Sequence, residues 1–141
     1  SGFSVNGNLS LINSKIDLTN LTSTATSKSR RMQGQSPYML NVGLYYDNPE
    51  TGTSVNLSYN RFGDRISEVG LNGFNDIYEL GNDLVDLSAS KSIFGRMEVR
   101  FTVKDILNQN RKFVQNILGN DETVRQFNSG RIYSVTLTYK Y

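Results

Sequence analysis

Apolar and polar side chains alternate strictly over the last nine residues of this chain. The odd positions are apolar or aromatic: Tyr133, Val135, Leu137, Tyr139 and Tyr141. A period of two places all of these side chains on one face of a β-strand. Aromatic residues at both ends of that face are typical of a strand whose apolar side meets lipid.

The same alternation recurs upstream, and Val, Tyr, Phe and Thr, the residues that favour strands, are frequent in each segment. It predicts an all-β fold of about six antiparallel up-and-down strands, in which residues 1–141 form a single unit. The predicted strands are Phe3–Ile12, Pro37–Tyr46, Thr53–Arg61, Leu84–Ser92, Met97–Asp105 and Tyr133–Tyr141.

The connections between these strands alternate in length. Asp47–Gly52 and Ser92–Arg96 are short turns, whereas Asn13–Ser36, Phe62–Asp83 and Ile106–Gly130 are far longer than an ordinary hairpin loop of about 2–5 residues. Bacterial outer-membrane barrels have this organisation, with short periplasmic turns and long extracellular loops. We therefore expect the long connections to lie outside the cell and the short ones in the periplasm.

The long connections differ in composition. Leu18–Arg31 is rich in Ser, Thr and Asn, and we expect it to be solvated. Apolar residues in Asp105–Leu118 recur at spacings of three and four, which predicts a short amphipathic helix ended by Gly119. The apolar residues of Phe62–Asp83 either face a transported cargo or pack on neighbouring loops. The candidate cargo-facing residues are Phe62, Phe74 and Tyr78.

Composition excludes several classes of function. The chain has no Cys and no His, so disulfides, thiolate or imidazole metal sites and His-dependent catalytic triads cannot form within it. A net charge of +2, with both signs interspersed, predicts no nucleic-acid partner. No nucleophile or phosphate-binding motif stands out, and we expect no enzymatic activity, no metal site and no cofactor.

Charged residues fall on the polar faces of the predicted strands. Asp86, Glu98, Arg100 and Lys104 are candidates for lining a transport lumen. The simpler interpretation is that they solvate the lumen and pair across strands, as any large barrel requires.

Six strands are too few to close a membrane barrel, because the smallest have about 8. An open sheet in a bilayer would leave two edges of unpaired backbone, and each unpaired group is costly in hydrocarbon. We therefore expect the chain to be the carboxy-terminal sector of a larger barrel. Its terminal strand, Tyr133–Tyr141, would then carry the signal that the barrel assembly machinery recognises.

Four segments resemble the carboxy-terminal region of TonB-dependent receptors of the Bacteroidetes type. R-M-Q-G-Q-S-P-Y-M-L-N in Arg31–Asn48 and Y-N-R-F-G-D-R-I in Ser58–Gly70 are similar to consecutive motifs late in those barrels. Asp86–Asn108 looks like the last hairpin, and Gly130–Tyr141 looks like the terminal strand.

The resemblance implies a barrel of about 22 strands around an amino-terminal plug. It implies active nutrient uptake across the bacterial outer membrane, for example of a siderophore, glycan or peptide. The plug and the upstream strands are absent from this chain. The implied partners are outer-membrane lipid, the barrel assembly machinery, TonB acting through the plug and a surface lipoprotein.

Two alternatives remain open from the sequence. The first is a soluble all-β ligand-binding domain, a sandwich or calyx, in which Tyr38, Leu57, Phe101 and Leu137 would converge in a dry core. The second is an outer-membrane barrel of another class, such as a porin or adhesin.

Overall fold

The structure is a computed structural model that describes residues 1–18, 28–139 and 141. The fold is all-β, and the described part of the chain contains twelve strands and no helix. The strands are β1 Gly2–Leu11, β2 Ile16–Asp17, β3 Ser29–Arg30, β4 Tyr38–Asn48, β5 Thr53–Phe62, β6 Arg65–Glu68, β7 Ile77–Glu79, β8 Asp83–Ile93, β9 Met97–Lys104, β10 Arg111–Ile117, β11 Asn120–Phe127 and β12 Ile132–Tyr139.

The longest strands form one six-stranded antiparallel sheet in the order β1-β4-β5-β8-β9-β12, called here the main sheet. These are the six strands predicted from the sequence, with ends that agree to within two residues. Because successive strands are neighbours, every short turn lies at one end of the main sheet, the turn end. The long connections all leave from the opposite end, the loop end.

Within the described residues, each long connection forms additional strands. β6 and β7 form one hairpin, β10 and β11 form another, and β7 pairs with β10. The result is a four-stranded antiparallel sheet in the order β11-β10-β7-β6, called here the loop sheet. β2 and β3 pair as a short separate hairpin. Most of the Ser/Thr-rich segment predicted over Leu18–Arg31 lies outside the described residues.

The predicted helix over Asp105–Leu118 is wrong. A turn at Asp105–Asn108 is followed by the strand β10, which pairs with β7 on one side and with β11 on the other. Gly119 caps no helix and lies in the turn between β10 and β11, with φ +92°. Apolar spacings of three and four also fit a strand that carries apolar groups on both faces. The pairing of β10 with a strand at each edge favours the strand over the helix.

The buried apolar residues lie in the loop sheet. Ile66 is 1% exposed and Phe113 is 6% exposed, and no other hydrophobic residue of the described ranges is classed as buried. Phe113 stacks on Phe127 with a centroid separation of 5.8 Å. The core of the molecule therefore lies beyond the loop end, whereas neither face of the main sheet is covered.

Candidate functional site

One face of the main sheet is apolar from edge to edge. Two rows of directly paired residues cross all six strands on this face. The first row is Val5, Leu44, Leu57, Leu87, Val103 and Tyr133. The second row is Phe3, Tyr46, Val55, Ala89, Phe101 and Val135. Even the centrally placed Leu57 is 39% exposed.

Aromatic residues lie at both ends of this apolar face, and apart from Phe101 the apolar residues between them are aliphatic. Tyr38, Tyr59 and Tyr133 are on the loop-end side. On the turn-end side, the rings of Phe3 and Tyr46 are in contact at a centroid separation of 4.7 Å. Tyr139, which pairs with Met97, lies on the same side.

Tyr38, Leu57, Phe101 and Leu137 do not converge in a dry core. Register places all of them on the apolar face, and Leu57, Phe101 and Leu137 are classed as exposed. A self-contained sandwich or calyx would bury them against a second layer. No such layer covers the face in the residues that the structure describes.

The residues predicted as an assembly signal lie on the edge strand β12. Tyr133, Val135, Leu137 and Tyr139 point to the apolar face, and Val135 is 65% exposed. β12 pairs only with β9, so its other edge carries no strand among the described residues. Tyr141 follows the strand and is fully exposed. The position fits the predicted role, which stays a prediction.

A cluster of polar side chains interrupts the apolar face at the loop end. Arg61 Nη1 donates to both carboxylate oxygens of Asp83 at 2.7 and 2.8 Å. The Tyr59 hydroxyl donates to the same carboxylate at 2.6 Å, and Arg61 Nε donates to the Tyr38 hydroxyl at 3.1 Å. The backbone N–H of Asp83 donates to the side-chain oxygen of Gln109 at 3.2 Å.

We expect the Arg61–Asp83 pair to be coupled more strongly than an ordinary surface ion pair. Arg61 makes two bonds to the carboxylate of Asp83, and the Tyr59 hydroxyl bonds to the same carboxylate. Tyr59 therefore helps to orient the carboxylate for the guanidinium. A double-mutant cycle with Arg61→Met and Asp83→Leu, read by denaturant unfolding, measures this coupling.

The matched control for this cycle is the pair Arg100–Glu98, which lies on the same sheet and meets through one contact of 2.8 Å. Surface pairs of that kind contribute little. Equal coupling energies for the two pairs would contradict the expectation.

The opposite face of the main sheet is polar and concave. A row that crosses all six strands on this face consists of Ser4, Tyr45, Asn56, Ser88, Thr102 and Ser134. An open concavity of about 460 Å³ lies over this row. Hydroxyl groups also bond across strands, as between Ser54 and Ser90 at 2.7 Å.

Register places all four predicted lumen residues on this polar face. Glu98 and Arg100 pair with each other, and the carboxylate of Asp86 accepts the backbone N–H of Asp105 at 2.8 Å. Lys104 is exposed near the loop end. Three of the four residues therefore have structural partners, which favours the simpler interpretation of solvation and pairing. The four residues do not form a single site.

Three hairpins beyond the loop end are tied into one unit, called here the loop cluster: β2–β3, β6–β7 and β10–β11. The segment that follows β3 is joined to the second hairpin by backbone and side-chain bonds. Gly34 N–H donates to the carbonyl of Ile66 at 2.8 Å, and Gln33 Nε2 donates to the carbonyl of Ser67 at 2.7 Å. Arg30 also lies 3.7 Å from the largely buried carboxylate of Asp76.

The second and third hairpins are joined at their tips as well as through the pairing of β7 with β10. Asn75 Nδ2 donates to the carbonyl of Asn116 at 2.9 Å, and Gln115 Nε2 donates to the carbonyl of Asn75 at 2.7 Å. Glu68 and Arg125 form an ion pair of 3.2 Å across the outer strands. The loop cluster is therefore a connected unit with its own buried core.

The predicted cargo-facing residues lie at three different places on the β6–β7 hairpin. Phe62 is at its base, beneath the guanidinium of Arg65 at 4.6 Å. Tyr78 is in the middle and borders a cavity of about 440 Å³, together with Asp76 and Asn116. Phe74 is at the exposed tip and borders a groove that shares Asn75 and Asn116 with this cavity. The structure therefore brings Tyr78 and Phe74 to adjoining depressions, whereas Phe62 lies apart from them at the base.

Sequence analysis missed two kinds of residue. It gave no signal for the Arg61–Asp83 pair, because the two residues are adjacent only once β5 and β8 have paired. It also passed over Phe94 and Leu118, which are each followed by glycine at a hairpin tip. A bulky residue before the glycine of a tight turn was the available signal, since Asn or Asp is the usual choice there.

The part of the chain that the structure describes contains no helix of the length and apolarity that a membrane-crossing helix requires. Residues 1–18, 28–139 and 141 also contain no group of three or more acidic side chains placed to hold a metal ion. Comparison of the chain with protein-family models, curated proteins and solved structures found no match.

Proposed function

We propose that the chain forms the carboxy-terminal sector of a TonB-dependent receptor in the bacterial outer membrane. In this proposal the main sheet is part of the barrel wall and the loop cluster is part of the extracellular surface over a lumen. The protein would take up a nutrient of the siderophore, glycan or peptide class and would catalyse no reaction. The TonB-dependent class rests on the resemblance of Arg31–Asn48 and Ser58–Gly70 stated above.

The observation that carries the proposal is the two-faced main sheet with uncovered faces and open edges. An apolar face of this extent on a water-soluble monomer would be an aggregation liability. The polar face, by contrast, holds an open concavity and is rich in hydroxyl and amide groups, as the inside of a water-filled barrel is. Lipid on one side and water on the other satisfy both faces.

The dimensions of the apolar face also support a bilayer. In β4 the outward residues run from Tyr38 to Tyr46, and this length is about 26 Å at about 3.3 Å per residue. At the usual tilt of about 40°, it corresponds to about 20 Å along the barrel axis, close to the band of about 25 Å that outer-membrane barrels carry. Aromatic side chains at both ends match the two interfaces of such a band.

The experiment that tests the proposal is cysteine labelling in intact cells. The chain has no Cys, so a single substitution gives a single reactive site within it. Glu122 is exposed in the loop sheet, and Glu50 is exposed in a turn at the opposite end of the main sheet. We expect a membrane-impermeant maleimide to label Glu122→Cys in intact cells, and Glu50→Cys only after the outer membrane is permeabilised.

The two variants control for each other, because both replace an exposed glutamate in the same protein. Labelling of Glu50→Cys but not of Glu122→Cys in intact cells would reverse the proposed direction of the strands. Recovery of the labelled protein in a water-soluble fraction, without detergent, would overturn the membrane assignment altogether.

A further inference from the structure

Two bulky apolar residues occupy left-handed backbone conformations at hairpin tips. Phe94 has φ +52° and is 94% exposed, and Leu118 has φ +52° and is 98% exposed. The other non-glycine residues with positive φ in the described ranges are Asn or Asp, which tolerate this conformation. A large apolar side chain that is both strained and exposed points to a contact that the isolated chain does not make.

Phe94 lies where the apolar face of the main sheet reaches the turn end. It belongs to the β8–β9 turn, directly after Ile93, and Ile93 pairs with Met97. Met97 in turn pairs with Tyr139 on β12. Phe94 therefore lies just past the last paired residues of the sheet, next to the apolar pair of Ile93 and Met97.

Cationic side chains flank the same turn. Arg96 is exposed two residues after Phe94. Lys91 is on the apolar face near the turn end, and its Nζ donates to the carbonyl of Thr51 at 2.7 Å and the hydroxyl of Thr53 at 2.8 Å. The nearest acidic side chain of these strands, Glu98, is on the polar face. An aromatic group beside cations is the combination that suits a lipid interface with phosphate headgroups.

We propose that the β8–β9 turn is a membrane-interface anchor, in which Phe94 inserts into the leaflet at the turn end and Arg96 lies at the level of the phosphates. The occupant is the lipid leaflet, because the turn lies at the end of the apolar face, exposes an aromatic side chain and carries positive charge. The inference rests on the proposed function, since it takes the apolar face to be in a bilayer. It adds that this turn enters the leaflet and does not project into the periplasm.

Leu118 provides a matched comparison at the other end of the molecule. It has the same φ, a similar exposure and a following glycine, but it lies at the tip of the β10–β11 hairpin. β10 alone extends about 20 Å at about 3.3 Å per residue. Leu118, with the same backbone conformation and a similar exposure, therefore lies well beyond the loop end of the main sheet.

The test uses tryptophan as a depth reporter in the complete protein, reconstituted in vesicles of phosphatidylcholine with phosphatidylglycerol. The chain has no Trp, so Phe94→Trp, Leu118→Trp and Phe101→Trp each add one signal to it. We expect Phe94→Trp to emit at shorter wavelength than Leu118→Trp and to be quenched most by lipid brominated close to the headgroup. Phe101→Trp, from the middle of the apolar face, should be quenched most by lipid brominated deeper in the chain.

The three reporters separate failure of the anchor from failure of the membrane assignment. Quenching of Phe101→Trp without quenching of Phe94→Trp overturns the anchor and leaves the proposed function intact. Absence of quenching at both positions overturns both. Equal quenching of Leu118→Trp and Phe94→Trp also overturns the anchor, because lipid contact would then not be specific to the turn end.

A second substitution keeps the proposal testable if a tryptophan is not tolerated in a left-handed turn. Asn is favoured in this conformation, so Phe94→Asn and Leu118→Asn should both preserve folding. We expect Phe94→Asn to lower the yield of protein inserted in vesicles several-fold and Leu118→Asn to leave it unchanged. Unchanged insertion for both variants would contradict the anchor.

Discussion

We expect Leu57→Arg to lower the free energy of unfolding in a bilayer by about 2–4 kcal/mol, the range for a cation placed at the midplane of a lipid-facing barrel strand. Leu57 lies in the third strand of the main sheet, in the middle of the row that connects Leu44 and Leu87. Leu57 lies near the middle of β5, which spans Thr53–Phe62. The loss reflects the transfer of a charge into hydrocarbon.

The preceding residue provides the control for this prediction. Asn56 is on the polar face between Tyr45 and Ser88, and it is exposed like Leu57. Asn56→Arg adds the same cation to the same strand, but the side chain enters the concave polar side, where water can solvate it. We expect a change within about 0.5 kcal/mol, as for ordinary surface substitutions.

A third variant distinguishes lipid from a protein partner on the apolar face. Tyr139 is on the same face at the turn end, and an arginine near the interface costs only about 0–1 kcal/mol. A buried protein–protein contact would give no such dependence on depth. Denaturant titration in vesicles measures all three variants, and equal losses for Leu57→Arg and Tyr139→Arg would contradict a bilayer.

The main sheet was predictable because each of its strands carries a complete local signal. Alternation fixes the two faces, and a strand such as Thr53–Phe62 needs no distant information to reveal which residues share a side. Residues such as Pro49 and Gly52 mark a short turn, and a short turn makes the strands on either side of it neighbours. Only the ends of strands shifted, since pairing partners decide where a ladder stops.

The loop cluster was not predictable because its structure depends on partners that are distant in sequence. Ile66 is nearly fully buried, and its carbonyl accepts the backbone N–H of Gly34, a residue that is distant from it in the sequence. The pairing of β7 with β10 also turned a helix-compatible pattern into a strand. The sequence analysis identified apolar residues in Phe62–Asp83 and left open whether they bind or pack. Ile66 is buried and therefore packs, whereas Phe74 is exposed and remains available for binding.

The second large effect is expected at that packing residue. Ile66→Ala should destabilise the loop cluster by about 2–5 kcal/mol, the usual loss for removing a large buried aliphatic side chain. Ile66 is the most buried side chain of the cluster, and its carbonyl also accepts the bond from Gly34, in the segment that follows β3. The control is Ile117→Ala in the same sheet, where the side chain is exposed at the tip and the expected change is within about 1 kcal/mol.

Hydrogen exchange decides whether this loss is confined to the loop cluster. The amides of Gly34 and Leu80 close bonds within the cluster, whereas the amide of Ile106 bonds to Val85 of the main sheet. If the cluster opens as a unit with its own core, Ile66→Ala should speed exchange at Gly34 and Leu80 by roughly thirty-fold or more and leave Ile106 nearly unchanged. Equal acceleration of exchange at all three amides would mean that the loop cluster and the main sheet unfold together. Under the proposed function, the loop cluster could then not rearrange around a cargo while the main sheet keeps its structure.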